Sequence, residues 1–192
     1  MKPQTRLPPT PDFEAIEAAA REEAATAARG DVFAMIGHLS FSWSNNESLL
    51  AYFIMLLLRC DRDAALIVFG TLNTSRARVD LVQRLARVKL ADRALAGELK
   101  RLLARFETGT RMRNDLLHAM FTVDEAGRIT HTHAMRLEDR AKGLRFGAAK
   151  PMDGERIEAI RAEIRAMNEL NRDLWNFLPR LEAALRSGAR GR

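Results

Sequence analysis

Between Leu49 and Leu58 the chain is uninterrupted apolar sequence, led into by Phe33, Ile36 and Trp43. Apolar character all round a segment predicts a central helix or an oligomer interface. The run is ten residues long, well short of the roughly 20 that a membrane span needs. Gly30 and Asp31 offer a stop and a fresh N-cap ahead of it. Residues 12–29 are rich in Ala and Glu but poor in large apolar side chains, which predicts a separate, peripheral helix. Residues 61–72 read as a short helix ended by Gly70 and the polar cluster Asn73, Thr74 and Ser75. Val79, Val82, Leu85 and Val88, then Leu95, Leu99, Leu102, Leu103 and Phe106, predict two amphipathic helices facing a common core.

Near Gly109 the pattern allows two continuations. Either Gly109 kinks a helix that goes on, or Thr110 caps a new one. The second places Arg111, Met112 and Arg113 in a first helical turn, where unpaired N–H groups and the macrodipole favour an anion. From Phe121 the period changes to two. Phe-Thr-Val, the turn Asp-Glu-Ala-Gly, and Ile129, His131, His133 and Met135 alternating with Thr130, Thr132 and Ala134 predict a β-hairpin at about 121–136. Leu144 to Phe146 offers a short third strand, and Asp153 a cap for the last helix. The stripe of Ile157, Ile160, Ile164, Met167, Leu170, Leu174, Phe177, Leu181 and Leu185 predicts a long final helix, kinked at Pro179.

These elements predict a mainly α fold, an antiparallel helical bundle with a small β-hairpin insertion. The expected organisation is a flexible Pro-rich arm over 1–11, one helical domain over 12–186 and a disordered basic tail over 187–192. The first residues lack the continuous apolar segment of a secretory signal, so a cytoplasmic location without membrane attachment is expected. With a single cysteine, Cys60, no disulfide framework exists within the 192 residues, and that thiol reads as a small buried hydrophobe.

Charge changes the picture through its placement. The chain has a net charge of +6, and residues 76–115 alone hold eleven basic side chains against five acidic ones. That excess suits a polyanion such as RNA; a solvated basic helix face is the plainer reading. No Walker-type glycine loop, GxSxG elbow or HExxH helix occurs, which removes the commonest nucleotide hydrolases, serine hydrolases and zinc proteases.

The segment with most chemistry is Arg113-Asn114-Asp115-Leu116-Leu117-His118. An arginine, a polar residue after it, and a histidine beyond four intervening positions, set among long apolar helices, resemble the signature of the HEPN superfamily. The resemblance spans about Asp31 to Leu185. It implies a helical homodimer whose motif helices face one another, acting as a metal-independent endoribonuclease of a toxin or defence system, with an antitoxin protein as a possible partner and no cofactor or metal. It also admits a catalytically silent helical dimer that serves as an RNA- or protein-interaction module. Arg111, six residues before His118, satisfies the spacing as well. At 100° per residue Arg111, Asn114, Asp115 and His118 share one face, whereas Arg113 projects about 140° from His118. Arg113 ranks first because Asn114 follows it, and Arg111 stays close behind.

Metal-free RNA cleavage needs a base for the ribose 2′-hydroxyl, an acid for the departing 5′-oxygen and a cation for the phosphorane. A histidine such as His118 serves either proton-transfer role, and arginine's charged fork grips two phosphate oxygens. Asn114 is placed to hold an imidazole tautomer or a phosphate oxygen. Elsewhere, Asn45, Asn46 and Glu47 interrupt the apolar run. A buried Glu47 carboxylate requires a cation, for which Arg113 and Arg76 are the candidates; a helix start after Asn46 is the alternative. His131 and His133 share a strand face, a pair that reads as exposed hairpin histidines before it reads as two ligands of a metal lacking its third.

Overall fold

The computed structural model describes residues 13–21, 23–135, 137–140 and 143–190. The expected N-terminal arm lies outside them, as do the last two residues of the expected tail. The fold is mainly α with a small antiparallel β insertion. Its elements are α1 (Phe13–Ala20), α2 (Glu23–Leu58), α3 (Arg62–Thr71), α4 (Ser75–Lys89), α5 (Arg93–Leu117), β1 (Ala119–Val123), β2 (Ile129–Ala134), β3 (Leu137–Arg140), β4 (Gly143–Phe146), β5 (Ala149–Pro151) and α6 (Gly154–Arg190). They form two compact units, one of residues 1–34 and 119–154, the other of 35–118 and 155–192.

Two helix boundaries differ from expectation. The stop at Gly30 and the cap at Asp31 do not exist, because α2 runs through both. One glycine costs a helix only about 1 kcal/mol relative to alanine, and neither residue removes an N–H as proline would. At the other end α6 extends through Arg190, so residues 187–190 are helical and not a disordered tail. Pro179 lies within α6 on its exposed side.

In the unit that holds the sheet, β1, β2 and β5 form a three-stranded antiparallel sheet in the order β1-β2-β5, with Phe121 opposite Thr132 and Thr132 opposite Lys150. The hairpin was expected from 121 and begins two residues earlier. Its turn depends on Asp124, whose carboxylate accepts the backbone N–H of Arg128 at 2.8 Å and its Nε at 3.0 Å. Gly127 beside it has φ 73°, a left-handed conformation that a Cβ disfavours. β3 and β4 pair separately as a two-stranded antiparallel ribbon.

The other unit contains most of the core. Phe53, Ile54, Leu57, Val82, Leu103, Phe106, Met167, Leu170 and Leu181 are at most 1% exposed. α3, α4 and α5 start where their caps dictate: Asp61, Thr74 and Asp92 each accept a backbone N–H of the first turn. Val88, expected in the core, is 74% exposed, and Ala86 and Leu90 are buried in its place. Steps of three drift around a helix, so nine residues after Val79 the stripe has turned through about 180°.

A row of polar side chains on α2 ties this core together. Ser42 donates to Asn168 Oδ1 at 2.6 Å. Asn46, fully buried, donates to the Met167 carbonyl and accepts from Asn171, both at 2.9 Å. Trp43 Nε1 donates to Thr110 at 2.9 Å while its ring stacks on Phe106. Glu47 lies 2.8 Å from Arg78. The hydrogen bonds satisfy amide, hydroxyl and indole groups that would otherwise be costly to bury, and the Arg78 charge offsets that of Glu47. Removing the Asn46 amide in Asn46→Ala is expected to lower unfolding free energy by about 2–4 kcal/mol, against about 0.5 or less for the exposed neighbour Asn45→Ala. Urea denaturation of the two variants measures this difference.

Candidate functional site at the end of helix α5

α5 continues through Gly109 and Thr110, which decides between the two readings of that segment. Thr110 is no cap: its hydroxyl donates to the Phe106 carbonyl at 2.8 Å and accepts from Trp43. Arg111, Met112 and Arg113 therefore lie near the C-terminal end of a helix, where the N–H groups belong to the helical ladder, and the expected first-turn anion cradle is absent. Gly109 is buried because α6 approaches it closely. A Cβ built there would sit 2.6 Å from Met167 Cε and 3.1 Å from Glu163 Oε1, closer than packed atoms come.

His118 is the C-cap of α5, exposed, with its backbone N–H donating to the Asn114 carbonyl at 3.1 Å. Asn114 is exposed one turn earlier. The two arginines differ sharply. Arg113 is half-buried, its guanidinium carbon 4.4 Å from the centre of the Trp43 ring, and its Nη1 donates to Asn114 Oδ1 at 2.8 Å. Arg111 is exposed and bonds the Thr108 hydroxyl at 2.9 Å. The helix thus brings Arg113 and Asn114 into contact, and leaves Arg111 and His118 solvent-facing on the face they share.

Glu163 on α6 adds a carboxyl group to this neighbourhood. Burial pushes it above the usual carboxylate range, and Arg111 and Arg105 draw it part of the way back.

Glu47 is buried, as its place in the apolar run implied, but its cation is Arg78 and neither Arg113 nor Arg76. Arg76 and Arg78 are two positions apart on α4, about 200° around the helix, so only one of them faces α2. Arg76 is exposed. Arg78 is further held by donating to the Phe69 carbonyl at 3.1 Å and by lying 4.0 Å over the Phe69 ring. The alternative of a helix start after Asn46 is removed, since α2 is continuous there.

In the sheet, His133 Nε2 is 2.9 Å from the Thr122 hydroxyl and His131 is exposed, their ring centres 6.5 Å apart. Among the described residues no group of three or more His, Cys, Asp or Glu is placed to hold a metal ion. No described helix is long and apolar enough to cross a membrane. No family model, curated protein or solved structure matches the chain.

Two expectations follow from these contacts. Arg113→Ala uncovers Trp43 and should cost about 1–2 kcal/mol of stability, whereas Arg111→Ala should stay within about 0.5 kcal/mol; thermal melts distinguish them. For Glu163 the folded protein holds its proton more tightly than the unfolded chain does. Its contribution is therefore greatest below the usual carboxylate value and is lost as pH rises through the raised one. Glu163→Gln should remove that fall, read as a flatter dependence of denaturation midpoint on pH across the acidic range.

Proposed function

We propose that the chain is an RNA-directed HEPN-like protein, a metal-independent endoribonuclease acting in the cytoplasm as part of a toxin or defence system. The observation that carries this reading is the exposed His118 imidazole on the last turn of α5, with Asn114 one turn before it and two arginines on the same stretch of helix. A strand of RNA has access to all of these groups except the half-buried flank of Arg113.

In the reaction the ribose 2′-oxygen attacks the adjacent phosphorus while its proton passes to the neutral imidazole of His118. The bond from phosphorus to the 5′-oxygen breaks, and that oxygen leaves with the electron pair and takes a proton from the imidazolium of a second copy. Products are a 2′,3′-cyclic phosphate and a 5′-hydroxyl. Charge on the phosphorane is met by arginine. Arg111, exposed, reaches it on giving up its bond to the Thr108 hydroxyl, while Arg113, held by Trp43 and Asn114, orients the Asn114 amide. The homodimer implied by this scheme supplies the second histidine, and an antitoxin would act by covering it.

A second reading is a catalytically silent helical dimer that binds RNA or a protein. It is favoured by Arg113 itself, whose guanidinium already has an aromatic face and an amide for company.

Purified protein should cleave single-stranded RNA in the presence of EDTA and leave cyclic phosphate ends. His118→Ala should abolish cleavage with an unchanged melting temperature, since the side chain is exposed, and Arg111→Ala should slow it by about 10²-fold or more, the scale of removing one donor to a developing charge. Intact RNA across several substrates, with folded wild-type protein, would sink the nuclease reading and leave the binding module.

A further inference from the structure

Far from His118, the other end of α5 carries a different feature. Gln83 and Arg87 of α4 face Arg93 and Lys100 of α5 across a cleft of about 310 Å³, and the small residues Ala86 and Gly97 among its lining leave it open. Lys100 and His118 are 18 positions apart on one helix, roughly 27 Å along its axis. A second cleft adjoins the first and shares Arg87 and Arg93 with it, adding Arg59 and Lys89.

The charge of these clefts is one-sided. No acidic residue lines the first. The second has only Asp92, whose carboxylate is engaged as the α5 cap by the N–H groups of Ala94 and Leu95. Among the described residues Arg87, Lys89, Arg93 and Lys100 form no ion pair, although Arg78 and Arg105 elsewhere on the same helices do. Arg59 has φ 54°, a backbone position at a helix end where glycine is the favoured residue. It keeps a guanidinium there, with one nitrogen bonded to the Leu185 carbonyl at 2.7 Å and the remaining donors left for a ligand.

We infer that the two clefts form one track that holds a phosphodiester strand by its backbone. A single small anion needs one cleft, whereas five cations across two connected clefts match a chain of phosphates. The lining contains no aromatic ring for a base to stack on, so binding is independent of sequence and strongly dependent on salt. The track shares with the proposed function only the premise that the ligand is a nucleic acid.

The test is fluorescence anisotropy with labelled oligo(U) and oligo(dT) of equal length, over a range of salt concentrations. The full chain is compared with the triple variant Arg87→Gln, Arg93→Gln, Lys100→Gln and with a control of equal charge loss on α6, Arg161→Gln, Arg165→Gln, Arg172→Gln. The track variant should bind at least about tenfold more weakly at low salt and lose roughly two units of log–log salt slope, while the control stays within a few-fold of wild type. Equal binding to RNA and DNA means the backbone alone is read, and a preference for RNA adds recognition of the 2′-hydroxyl; both support the track. Equal loss in the two variants, unchanged affinity in the track variant, or no binding of either strand by the wild type would overturn it. Should the track variant prove unfolded by circular dichroism, the single changes Arg87→Gln and Lys100→Gln, both at exposed positions, take its place under the same criteria. Strand binding that maps to the track without any cleavage would sink the nuclease and not the track.

Discussion

The helical unit depends on a carboxamide that has been taken out of water. Asn46 is fully buried, and both ends of its amide are engaged by α6, the NH₂ group at the Met167 carbonyl and the oxygen at Asn171. Such a group is costly in any arrangement but the right one, so it acts on register as much as on stability. Ser42 one turn earlier reaches Asn168, again on α6, and Glu47 one residue later reaches Arg78 on α4. Trp43 bonds α5 through Thr110. Polar contacts from four of six consecutive residues of α2 therefore specify which faces of three other helices meet it, while the surrounding leucines and phenylalanines supply the burial.

The same belt shapes the end of α5. Trp43 faces α5 with a polar edge and an aromatic surface: its indole nitrogen fixes Thr110 and its ring receives Arg113. Arg113 is thereby withdrawn from solvent, and Arg111 is left exposed with His118. Two arginines that satisfy one spacing rule acquire different surroundings because a residue 70 positions earlier in the chain covers one and not the other.

α5 is also the element on which the two functional proposals meet. Its N-terminal half contributes Arg93 and Lys100, which lack acidic partners among the described residues, and its C-terminal turn contributes Asn114 and His118. Between them Arg105 pairs with Asp173, and Gly109 lets α6 approach. A rigid helix is a suitable ruler for a strand bound at one end and acted on at the other.

By itself the chain determined its element types and most of its core. The apolar runs and stripes place α2, α5 and α6, the caps Asp61, Thr74 and Asp92 start three helices, and the change of period at Phe121 marks the hairpin; these are local effects of backbone hydrogen bonding and side-chain spacing. Glu47's need of a cation was equally legible, since an unpaired buried carboxylate is untenable. Which cation answers it was not: Arg76 and Arg78 differ only in the face of α4 they occupy, and the packing of α4 on α2 decides that. Likewise nothing near Gly109 states whether the glycine bends the helix, ends it or makes room, because the answer is Met167 and Glu163 on α6. Local physics assigns each residue its conformation, and only the tertiary structure brings together partners that are distant along the chain, which is where the charges and contacts of a site are settled.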